Sequence, residues 1–210
     1  MTHTDMIAKI CTAAPVIPVL TIDRVQDAQP LARALVAGGL PALESTLRTD
    51  AAMEAIAAVA EVEGAMAGVG TLLTTAQIRD AKSAGATFGV SPGATDSIIK
   101  AAQDYDLPLL PGAATASEAM RLLEQGFVFQ KFFPAEAAGG APALGSMAGP
   151  LPQITFCPTG GVTPENAKTY LTLPNTRCVG GSWIAPKALI DAGDWEQITQ
   201  IARRAVDLLE

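Results

Sequence analysis

Lys131 is a single cation in the apolar run Val128-Phe129-Gln130-Lys131-Phe132-Phe133-Pro134. A run of that length and composition reads as a buried β-strand. An ammonium there is costly unless it is paired or neutralised. Desolvation favours the uncharged form of an amine, and an uncharged amine facing a cavity can attack a ketone to form a Schiff base. Glu44 is a second charge in another apolar stretch. Together the two point to carbonyl chemistry, in which the lysine carries the substrate carbon and the glutamate moves protons. A plainer reading stands beside this one. The two can form a buried ion pair with no chemistry, and Glu44-Ser45-Thr46 can be a strand edge.

The rest of the composition narrows the chemistry. The only histidine is His3, and the three cysteines, Cys11, Cys157 and Cys178, are scattered. A histidine triad, a multi-histidine metal site and a CxxC pair are therefore excluded. Chemistry without metal or cofactor is expected. Cys157 has apolar neighbours and no histidine to activate it, so it is expected in the core. The odd cysteine count and the lack of a secretory pattern before the first strand predict a reduced, cytoplasmic setting. The formal net charge of −7 argues against a nucleic-acid surface. A small phosphorylated molecule remains open, because backbone N–H groups can hold phosphate. Residues 137–164 are uncharged but broken by glycine and proline, which argues against a membrane span.

These residues need elements to position them. Short apolar strands are expected at 16–22, 42–46, 66–72, 88–91, 107–111, 128–133, 154–158 and 177–181. Amphipathic segments lie between them. Asp23 with Gln26, Thr74 with Gln77 and Thr115 with Glu118 have capping-box spacing. Thr163-Pro164 offers an N-cap followed by proline in the first turn. Gly38-Gly39, Gly85 and Gly126 are placed to close helices. The strand–helix rhythm repeats eight times in 210 residues. It predicts one α/β domain over 1–210, a (β/α)₈ TIM barrel with a short N-terminal helix. The rival, an open doubly wound sheet, is disfavoured because no GxGxxG follows the first strand.

In such a barrel the site lies at the carboxyl ends of the strands. Arg48 follows the second strand; its planar fork suits a carboxylate, though it can equally be a surface arginine at a helix start. Thr71 and Pro92 end the third and fourth strands. Phe133 shares a face with Lys131 by period two. Glu136 is a competing carboxylate, expected in solvated loop. Gly160-Gly161 and Gly180-Gly181-Ser182 end the last two strands, where barrels often hold phosphate on backbone N–H groups.

Several blocks resemble those of a known family: Glu44-Ser45-Thr46-Leu47-Arg48-Thr49, Gly68-Val69-Gly70-Thr71, Lys131-Phe132-Phe133-Pro134-Ala135-Glu136, Phe156-Cys157-Pro158-Thr159-Gly160-Gly161 and Gly180-Gly181-Ser182-Trp183. Over nearly the whole chain they are similar to the 2-keto-3-deoxy-6-phosphogluconate (KDPG) and 4-hydroxy-2-oxoglutarate aldolases. The resemblance implies a class I aldolase of the Entner–Doudoroff pathway, a homotrimer of barrels without metal or cofactor. Its substrate would be KDPG, cleaved to pyruvate and glyceraldehyde 3-phosphate; many members also cleave 4-hydroxy-2-oxoglutarate to pyruvate and glyoxylate. Lys131 would be the Schiff-base lysine and Glu44 the general acid/base. Arg48 and Thr71, with Lys131, would hold the substrate carboxylate, and Pro92 and Phe133 would shape the pocket. Gly160, Gly161, Gly181 and Ser182 would hold the phosphate. Three alternatives stay open: an aldolase for the C4 epimer 2-keto-3-deoxy-6-phosphogalactonate, a sugar-phosphate isomerase or epimerase, and a non-catalytic phosphometabolite-binding barrel. The lone histidine counts against the isomerase.

Overall fold

The structure is a computed structural model that describes residues 2–209. Met1 and Glu210, within the expected 1–210 domain, lie outside the described residues. The expected N-terminal helix is α1 (His3–Thr12), whose cap Thr2 accepts the Asp5 N–H. Parallel strands then alternate with helices. The strands are β1 (Val16–Leu20), β2 (Ala42–Thr46), β3 (Met66–Gly70), β4 (Phe88–Val90), β5 (Leu109–Leu110), β6 (Gly112–Ala113), β7 (Phe129–Phe132), β8 (Thr155–Pro158) and β9 (Val179–Gly181). Among the described residues no helix is long and apolar enough to cross a membrane.

The strands form two parallel sheets, one ordered β5-β4-β3-β2-β1-β9 and one ordered β6-β7-β8. The strand expected at 107–111 contains only β5, and β6 lies just beyond it. Pro111 separates them because it has no N–H to give to a ladder. Its carbonyl still accepts the Lys131 N–H at 2.8 Å. At the far side, isolated parallel bridges join Phe156 to Thr176 and Thr159 to Gly180.

Most strand residues are buried on both faces, as parallel sheets covered by helices require. One face packs on helices such as α2 (Val25–Ala37) and α6 (Ala116–Glu124). Gln130 points that way, and its amide donates to the Ala119 and Phe127 carbonyls at 3.0 and 2.9 Å. The other face meets α1. Ile7, Ile10 and Cys11 pack with Ile17, Ala42, Phe88, Val90, Leu110, Cys157 and Cys178. Several of these start their strands, so α1 covers the amino ends and leaves the carboxyl ends for chemistry.

Local signals explain most helix starts. Thr74 and Thr115 form the expected capping boxes. Asp23 does not. Helix α2 begins after Arg24, which makes no side-chain cap, while the Asp23 carboxylate accepts from Lys187 at 2.6 Å. A cation distant in sequence has drawn off the expected cap.

Candidate active site

Glu44 is the middle residue of β2, and Lys131 lies in β7 of the other sheet. Lys131 Nζ donates to Glu44 Oε1 at 3.1 Å, and the two side chains are only 6% and 4% exposed. The Phe133 ring centroid lies 5.2 Å from the same nitrogen. An aromatic face there attracts a cation and keeps water from it. Backbone pairing fixes the lysine, since Lys131 is in register with Gly112 on one side and Cys157 on the other. Glycine makes room for the carboxylate. A Cβ at Gly70 would stand 2.4 Å from Glu44 Oε1 and 2.7 Å from its Cγ.

A cavity of about 100 Å³ opens at Lys131. Arg48, Lys131, Phe133, Gly160, Gly161 and Ser182 line it, as do Val19, Thr159, Val162 and Gly180. Glu44 is not in the lining. Arg48 sits in the exposed turn between β2 and α3 (Ala52–Ala60), not inside a helix. Thr71, Pro92 and Gly181 are not in the cavity lining. Thr71 directly follows β3 with φ at 64°. That left-handed conformation is strained for a β-branched residue, and strain of this kind collects at functional sites. The Pro92 carbonyl approaches the strand beside Lys131 so closely that a Cβ at Gly112 would be 2.2 Å from its oxygen. Gly181 instead makes room for the Trp183 ring, which a Cβ there would meet at 2.2 Å.

The loop after β8 needs its glycines, because Gly160 and Gly161 have φ of 99° and 80°. Its carbonyls are held from outside the cavity. The Glu136 N–H donates to the Gly160 carbonyl at 3.0 Å, and Asn166 Nδ2 donates to the Gly161 carbonyl at 3.1 Å. Glu136, the competing carboxylate, is exposed and lines a different cavity, with Asn166 and Tyr170. Its Oε1 accepts from the Tyr170 hydroxyl. Burial, and then this carboxylate, push the phenol above its usual range.

The three cysteines are free and buried. Bonds to Cys11 and Cys157, followed by burial, raise Cys178 well above the usual thiol range. These are inert core thiols, as expected of Cys157. No group of three or more His, Cys, Asp or Glu side chains among the described residues is placed to hold a metal ion.

Residues 7–201 match the family model described as KDPG and KHG aldolase. The chain belongs to the KDPG and KHG aldolase family. The KHG/KDPG aldolase of Escherichia coli K12 is 48% identical over 199 residues, covering 94% of this chain and 93% of that one. The KDPG aldolase of Legionella pneumophila, with pyruvate captured at low pH as a covalent carbinolamine, is 45% identical. It has a TM-score of 0.91 and coverage of 94% and 96%. The Zymomonas mobilis ZM4 enzyme with 3-phosphoglycerate is 47% identical, with a TM-score of 0.91 and coverage of 98% and 96%.

The sequence did not single out every residue that shapes this aldolase site. Gly70, Thr159, Val162 and Val19 all border the pair or its cavity. A signal for Gly70 existed, since two glycines inside the strand Gly68-Val69-Gly70 mark a close approach. Glu44 pairs in register with Gly68, which places its carboxylate over that strand. Nothing local marks Val19 or Val162, which look like any apolar residue.

Proposed function

We propose that this chain is a class I aldolase that cleaves KDPG to pyruvate and glyceraldehyde 3-phosphate in the Entner–Doudoroff pathway, with 4-hydroxy-2-oxoglutarate as a second substrate. One observation carries the reading. Of the lysines, Lys9, Lys82, Lys100, Lys168 and Lys187 are exposed, and only Lys131 is buried, beside a carboxylate and beneath a cavity. The captured pyruvate carbinolamine of the Legionella enzyme requires an amine, and Lys131 is the amine placed for one here.

In this reading Nζ passes a proton to Glu44 and attacks the C2 ketone. The carbinolamine hydroxyl takes that proton back from Glu44 and leaves as water, giving an iminium and an ionised Glu44. The positive nitrogen draws in the C3–C4 electrons while Glu44 accepts the C4 hydroxyl proton. The aldehyde departs. Glu44 returns the proton to C3 of the enamine, and water then releases pyruvate from the lysine. Arg48, with Thr71 and Lys131, holds the substrate carboxylate. Pro92 and Phe133 shape the pocket. Gly160, Gly161 and Ser182 hold the phosphate on N–H and hydroxyl groups, with Gly181 supporting Ser182. That remote grip orients the reacting carbons.

The fold fits this role as a closed (β/α)₈ barrel with α1 across its amino end. Two observations support closure: β5 and β6 flank a single proline, and bridges link the β8 and β9 segments. A single domain over 1–210, a homotrimer and a cytoplasmic setting complete the proposal.

The test is an assay of pyruvate release from KDPG, its C4 epimer and 4-hydroxy-2-oxoglutarate. KDPG is expected to give the highest kcat/KM. A preference for the epimer would reassign the substrate, and no cleavage of any of the three would overturn the aldolase reading.

A further inference from the structure

The loop Gly160-Gly161-Val162 lines one cavity, and the residues that bond its carbonyls, Glu136 and Asn166, line another. Lys131 lines one, and Glu136, Asn166 and Tyr170 line the other. Among the described residues, no backbone hydrogen bond engages the Gly161 or Val162 N–H. Both carbonyls ahead of them are tied down: Gly160 by the Glu136 N–H, Gly161 by Asn166 Nδ2. Asn166 does two things at once. Its Nδ2 donates to the Gly161 carbonyl at 3.1 Å, and its Oδ1 accepts the Thr163 N–H at 2.7 Å. The second bond closes the start of α8 (Pro164–Leu171). The amide therefore rivets the loop to the first turn of the helix.

A peptide carbonyl fixed on one side fixes the following N–H on the other, because the peptide unit is planar. With the Gly161 carbonyl held toward Asn166, the Val162 N–H is turned away from it. Glycine at φ 80° would otherwise leave this peptide free to rotate. We infer that Asn166 is a positioning residue that aims the Gly161–Val162 peptide at the substrate phosphate from outside the substrate cavity. This rests on the phosphate reading proposed above. Asn166 does not line the Lys131 cavity, so it acts through the loop and touches no reacting atom.

Two variants isolate the donor. Asn166→Ala loses the donor and the Thr163 contact without adding charge. Asn166→Asp keeps an acceptor for Thr163 but loses the donor. Donor loss is the defect they share. Both are expected to lower kcat/KM for KDPG by about five- to tenfold, the scale of one lost hydrogen bond. The pyruvate concentration that half-saturates borohydride inactivation should not move, because pyruvate has no phosphate. A role confined to the helix cap would leave Asn166→Asp with wild-type kcat/KM for KDPG, and that result overturns the inference. Unphosphorylated 2-keto-3-deoxygluconate, assayed with the wild type, tests the underlying reading. If it is cleaved as well as KDPG, the phosphate site itself falls and this inference with it. If the wild type prefers KDPG while both variants match it, the inference alone falls.

Discussion

The interior of the strands has two layers of opposite character. In the upper one, Lys131 and Glu44 meet at 3.1 Å beneath an open cavity. In the lower one, Phe88, Val90, Leu110, Cys157 and Cys178 pack against Ile7, Ile10 and Cys11 of α1. The layers are adjacent: Cys157, in register with Lys131, belongs to the apolar set. Their energetics differ. A fully buried Phe88 contributes about 2–3 kcal/mol by leaving water. A buried ion pair contributes little net stability, because desolvation offsets the attraction. Stability alone therefore does not account for the upper layer, in keeping with the catalytic role proposed for it. The lower one stabilises the fold and keeps water from reaching the pair from below.

Substitutions should separate the two layers. Lys131→Ala is expected to remove turnover by a factor on the order of 10⁴ or more, as loss of a covalent nucleophile does. Circular dichroism should show the secondary structure retained, and residual turnover near wild type would unseat the lysine. Glu44→Gln keeps an acceptor for Nζ but cannot take a proton, so kcat should fall by about 10²–10⁴-fold. Steady-state kinetics measures this directly. Phe88→Ala should do the reverse. It is expected to lower the unfolding free energy by about 3–5 kcal/mol in a denaturant titration, while kcat per folded molecule stays close to wild type. Gly70→Ala sharpens the boundary. Its Cβ would stand 2.4 Å from Glu44 Oε1, so the carboxylate must move off Lys131. A fall in kcat of up to about 10²-fold is expected, with pyruvate binding largely kept. An unchanged kcat would mean that the position of Glu44 does not matter.

The upper layer was the more legible of the two in sequence. Lys131 stood out because a lone charge in an apolar strand has few explanations, and Glu44 because it repeated the anomaly. The strand at Ala42–Thr46 and the caps at Thr74 and Thr115 follow from local patterns and hold as expected. What was hidden depends on partners far along the chain. Pro111, without an N–H for the ladder, stands between β5 and β6, which pair with different neighbours, β4 and β7. Asp23 fails to cap α2 because Lys187 takes its carboxylate. Gly180 borders the cavity while Gly181 yields to Trp183, a choice that only the placement of the indole ring decides. Nothing local marks Asn166, whose role rests on its amide meeting the Gly161 carbonyl.

The most direct test is to incubate the protein with pyruvate, reduce with borohydride and map the product by peptide mass spectrometry. A single reduced pyruvate adduct is expected on the peptide carrying Lys131, with activity lost in proportion to labelling. An adduct on Lys9, Lys82, Lys100, Lys168 or Lys187 instead, or full activity with no adduct at all, would contradict it.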